Sequence, residues 1–143
     1  TDIAYFDTVV SDGGALASPN LFAYTLSNTF LGEAAIRFGL TGPAFVANSE
    51  GGREIECLRL GIDSLRYGDC PIMVTGRCDL APPRNIPIPD GHAGAIFLVL
   101  VGGEEPPPGS CGEIAWDSRG FATLDGVAAS SWEELAAARS GVR

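Results

Sequence analysis

The sequence contains no lysine: its nine basic residues are all arginine, set against eighteen Asp and Glu, for a formal net charge of −9. Without a lysine amine, Schiff-base chemistry is excluded. An acidic chain with no basic run also lacks the electrostatic footprint of a nucleic-acid-binding protein, so no nucleic-acid partner is expected. Histidine occurs once, at His92, and the four cysteines, Cys57, Cys70, Cys78 and Cys111, contain no C-x-x-C pair. Zinc, or any other metal, is therefore not expected. No apolar run approaches the roughly 20 residues of a transmembrane helix, and no signal-peptide pattern precedes the cysteines. A reduced, cytoplasmic setting without a membrane span is the corresponding expectation.

What is present argues for a folded chain. At 143 residues, 45% hydrophobic and with a mean hydropathy of +0.17, the chain reads as a single domain over residues 1–143. A domain of that size buries roughly two thirds of its unfolded surface. Residues 1–10 hold an apolar cluster without clean alternation, either a lead-in or a short helix, and residues 11–17 form a Gly-rich loop. Pro19 is suited to open a helix, because its fixed φ and missing N–H cost nothing in a first turn. From there Phe22, Leu26 and Phe30 recur every four residues, and a second helix over residues 31–38 turns Ala34, Ala35 and Phe38 inward before Gly39.

Residues 44–48 (AFVAN), bounded by Gly-Pro and by Ser-Glu-Gly-Gly, read as a buried strand. Ile55, Leu58, Ile62 and Leu65 then step by three, four and three along an amphipathic helix that ends at Gly68. Residues 71–75 read as a second strand stopped by Gly76, and residues 77–90, with four prolines, as a loop. Residues 95–101 (AIFLVLV) form the most apolar run in the chain and read as a strand buried on both faces. After the break at residues 104–110, residues 111–116 and 120–124 suggest a hairpin around Asp117-Ser118-Arg119-Gly120. The tail SSWEELAAARS carries a capping-box pattern for a short helix anchored by Trp132 and Leu135. Strand, helix, strand, loop, strand and hairpin in that order predict an α/β fold with at least one right-handed crossover.

One set of motifs carries a resemblance. Ser18-Pro19, Phe22, Thr25-Leu26, Asn28, Gly32-Glu33, Gly39-Leu40, Gly42-Pro43, Leu65-Arg66, Gly68-Asp69 and Gly76 together resemble the nucleophile-proximal part of the β-ketoacyl synthases of the thiolase superfamily. The likeness covers roughly residues 17–101. It implies a partial thiolase-like N-terminal lobe, a mixed sheet with helices packed on it. Active members of that family carry a cysteine nucleophile eight residues beyond the proline of the Gly-Pro pair. Here that position is Gly51, and counting back from Gly68 gives the same residue. Glycine has no nucleophile.

The family's second lobe, with its paired histidines or histidine and asparagine, is expected to lie outside this chain. By the same resemblance, Ala44, Phe45, Val46, Ala47 and Asn48 would form a subunit interface, and Phe22, Asn28, Phe30 and Phe45 would line an acyl-binding region. Asn28 has two open readings, as an organiser of the chain beside the site or as a helix cap. Ser49, Cys57 and His92 remain as candidate reactive groups. The ordinary readings are a helix cap for Ser49, a small buried residue for Cys57 and a structural turn histidine for His92.

Two functions follow. The first is a non-catalytic ketosynthase-like partner subunit, similar to chain-length factors, in fatty-acid or polyketide-type acyl chain synthesis. It would form a homodimer, or a heterodimer with an active ketosynthase. An acyl carrier protein is the further partner implied, although its usual acidity sits awkwardly with a charge of −9. The second is an acyltransferase or thioester-processing enzyme, of the 3-oxoacyl synthase type, with its nucleophile relocated to a serine or cysteine. Neither calls for a cofactor.

Overall fold

A computed structural model describes residues 2–47, 55–79 and 94–140. The chain divides into two compact units, residues 1–46 and 47–143.

The first unit is helical. Helix α1 (Asp2–Asp12) has an acidic residue in its first turn, where the helix dipole favours negative charge. Gly13, at φ 82°, follows it and leads into a 3₁₀ turn over Gly14–Leu16. Helix α2 (Pro19–Ala23) opens as the sequence suggests, with Pro19 in its first turn and the Leu21 N–H donating to Ser18 Oγ at 3.3 Å. It is shorter than the Phe22, Leu26, Phe30 spacing implies. The hydroxyls of Thr25 and Thr29 donate to the carbonyls of Phe22 and Ala23 at 2.7 and 2.5 Å. The same two carbonyls accept the Thr25 and Leu26 N–H groups at 3.0 and 3.3 Å, so past Ala23 the backbone tightens into three-residue turns in place of further α-helix.

Helix α3 (Thr29–Phe38) then ends at Gly39, whose φ of 66° lets the chain leave the helix while the Leu40 N–H bonds the Ala35 carbonyl at 2.9 Å. The inward placement of Phe38 is corrected: Ala34 and Ala35 are half-buried, but Phe38 is exposed. No helix of this unit contains a buried residue.

The expected strand over residues 44–48 is also corrected, since residues 44–47 have no strand pairing and Asn48 lies outside the described residues. An apolar run of this length becomes a strand only where a neighbour takes its N–H and C=O groups. None does here among the described residues. The expected crossover through that strand falls with it.

The second unit holds the core. Helix α4 (Glu56–Arg66) carries Leu58, Gly61 and Ser64 on its buried row, with Ile62 and Leu65 packed beside the core. Its end combines Gly68 at φ 79° with an Asp69 N–H to Ser64 carbonyl bond of 2.9 Å, a Schellman-type stop. Strands β1 (Ile72–Asp79) and β2 (Gly94–Val101) pair antiparallel over their full lengths.

Gly76 does not end β1, contrary to the sequence expectation. Phe97 stands opposite it and lies so close that an added Cβ would fall 2.5 Å from the ring, so the aromatic side chain covers the glycine and the pairing continues. Residues 77–79 are thus strand, and residues 80–93 lie outside the described residues. Burial of β2 on both faces is likewise corrected. Leu100 is buried with Ile96 and Leu98 half-buried on one side, while Phe97, Val99 and Val101 on the other are exposed.

Strands β3 (Ile114–Trp116), β4 (Ala122–Leu124) and β5 (Val127–Ala129) form an antiparallel meander. The expected hairpin around residues 117–120 is present, and a second follows at Asp125-Gly126, whose φ values of 51° and 80° are those of a two-residue type I′ turn. Helix α5 (Trp132–Ser140) is capped as its sequence predicts. The Glu134 N–H bonds Ser131 Oγ at 3.1 Å, and the Glu134 carboxylate reaches back to the Ser130 N–H at 2.6 Å. Trp132 and Leu135 are buried and join Ile55, Leu58, Met73, Leu100, Ala122 and Ala129 in one core. The architecture is mixed α/β with small antiparallel sheets, compatible with a partial thiolase-like lobe.

Candidate functional site

Cys57 is the one candidate reactive group inside the described residues. It lies in the first turn of α4, half-buried, with its thiol directed at the Gly76 carbonyl at 3.5 Å. Its own carbonyl accepts a hydrogen bond from Thr75 Oγ1 at 2.9 Å. These two contacts fasten the start of α4 to the middle of β1. Thr75 is buried, and its side chain is satisfied by this bond, which lowers the cost of placing a hydroxyl in the core. The sequence reading missed Thr75, although its position two residues after Met73 puts both on one face of the strand.

The remaining reactive candidates, Ser49 and His92, lie outside the described residues, as does Gly51. The N-cap of α4 is Ile55, without a side-chain cap bond. Among the described residues no group of three or more His, Cys, Asp or Glu side chains could hold a metal ion. No helix among them is long and apolar enough to cross a membrane.

The acyl-binding candidates sit in the first unit. Phe22, Phe30 and Phe45 are exposed aromatic side chains, and Phe22 contacts the Tyr5 ring at 5.5 Å between centroids. Asn28 occupies the N-cap position of α3 but makes no side-chain cap bond. Its carbonyl, not its amide group, accepts from the Gly32 N–H at 3.2 Å. Of the interface candidates, Ala44, Phe45 and Val46 are exposed and Ala47 is half-buried.

Two polar features of the second unit were not visible in the sequence. Arg77 Nη2 pairs with Glu133 Oε1 at 3.0 Å, tying α5 to β1. Asp117 accepts from the Phe121 and Arg119 N–H groups, each at 2.9 Å, and faces the Arg119 guanidinium at 3.0 Å. The Phe121 N–H foremost, with the Arg119 contacts behind it, holds the Asp117 carboxyl below its ordinary range. Glu134 is lowered too, first by the Ser130 N–H and then by the Ser130 hydroxyl. Asp117 is a half-buried turn group and Glu134 an exposed cap group, each bonded to its own local backbone, so these shifts mark local order and not a catalytic pair.

Comparison with known proteins gives one partial likeness. Over 86 residues the chain is 34% identical to a protein of Streptomyces virginiae described as "Putative polyketide beta-ketoacyl synthase 1", a match covering 55% of this chain and 20% of that protein. The aligned part thus spans about a fifth of the length of that relative. No protein-family model matches the chain. No solved structure matches it either. The likeness supports a relation between this chain and the β-ketoacyl synthases.

Proposed function

We propose that the chain acts as a non-catalytic ketosynthase-like partner in polyketide-type acyl chain synthesis. The observation that carries this reading is the 34% identity to a polyketide β-ketoacyl synthase, taken with glycine at the position where the family resemblance calls for the cysteine nucleophile. Covalent acyl transfer needs an activated thiol or hydroxyl, and Gly51 supplies none. The same reading assigns Ala44, Phe45, Val46, Ala47 and Asn48 to pairing with a ketosynthase subunit. Phe22, Phe30 and Phe45 would contact the growing acyl chain. Their exposure leaves these apolar side chains free to be covered by a partner.

A direct test has two parts. Mixed with an active polyketide β-ketoacyl synthase, the chain should form a stoichiometric complex in analytical ultracentrifugation, and Phe45→Asp with Val46→Asp should abolish it. In parallel, Gly51→Cys should create a thiol that alkylates faster than Cys57 and Cys78, because the resemblance places it at the family's nucleophile position. Absence of any complex removes the partner role. Ordinary reactivity at position 51 removes the alignment on which the role rests.

A further inference from the structure

We draw no further inference here: the strongest candidate, the apolar outer face of the β1–β2 ribbon formed by Ile72, Val74, Phe97, Val99 and Val101, carries nothing because nothing in the structure shows what covers it.

Discussion

At Gly61 the helix α4 lies against the β1–β2 ribbon, and substitution there gives a quantitative test of the core. A Cβ at this position would lie 3.3 Å from Met73 Cγ, 3.4 Å from Thr75 Cβ and 3.5 Å from Leu100 Cδ1. Alanine therefore just fits. Its contacts are tight by a few tenths of an ångström, while its helix propensity improves on glycine by about 1 kcal/mol. The two effects nearly cancel, so Gly61→Ala should change stability by less than about 1 kcal/mol.

Valine is a different case. Its two γ-carbons extend about 1.5 Å beyond Cβ, into three side chains already in contact, and overpacking of this kind costs about 1–3 kcal/mol. Gly32 in α3 serves as the control, since among the described residues nothing lies within 4 Å of its added Cβ. There Gly32→Ala should gain up to about 1 kcal/mol, read by circular dichroism because residues 1–46 contain no tryptophan. Urea unfolding followed by Trp fluorescence reads the second unit directly, because Trp116 and Trp132 both belong to it. Equal midpoints for Gly61→Val and Gly61→Ala, with equal slopes, would refute the packing of α4 on the ribbon.

Other consequences follow from the same geometry. Ser131→Ala removes the acceptor for the Glu134 N–H and should cost about 1 kcal/mol, whereas Trp132→Ala should cost about 3–5 kcal/mol in the same urea assay. Asp117 and Glu134 have folded values below their ordinary ones. Their contribution is complete above the unfolded carboxyl range of about pH 4 and is lost as pH falls through the lowered folded values. Melting temperature should accordingly drop on acidification below about pH 4, and Asp117→Asn, which keeps an acceptor oxygen but no charge, should flatten that drop. An Asp117→Asn profile superposable on the wild type would contradict the assignment.

Much of the second unit was legible before its structure. The steps of Ile55, Leu58, Ile62 and Leu65 marked α4, and the Ser-Ser-Trp-Glu-Glu pattern marked α5 with its two anchors. The misreadings have identifiable causes. An aliphatic run such as residues 95–101 reveals that both faces of a strand are apolar, not that both are covered. Gly76 looked like a strand terminator because the ring that covers it, Phe97, comes from a strand 21 residues later. The Asp125-Gly126 turn is a strong hairpin signal, but the strand after it, Val127–Ala129, is short and poor in β-formers.

The first unit was least legible, because α2 gives way after Ala23 to tight turns with backbone and threonine hydroxyl bonds that periodicity does not encode. At the candidate site, position 51 rests on the resemblance in motif order, and only the structure showed that the Cys57 thiol is turned toward a backbone carbonyl.

The central proposal is that glycine at position 51, where the resemblance calls for the cysteine nucleophile, leaves the chain without acyl transfer of its own. Intact-mass measurement after incubation with acyl-thioester donors tests it most directly. The account predicts no mass gain for the natural chain and a single acyl adduct on Gly51→Cys, mapped to the new thiol. An acyl group on the natural chain at Ser49, Cys57 or His92 would contradict it and establish a relocated nucleophile in its place.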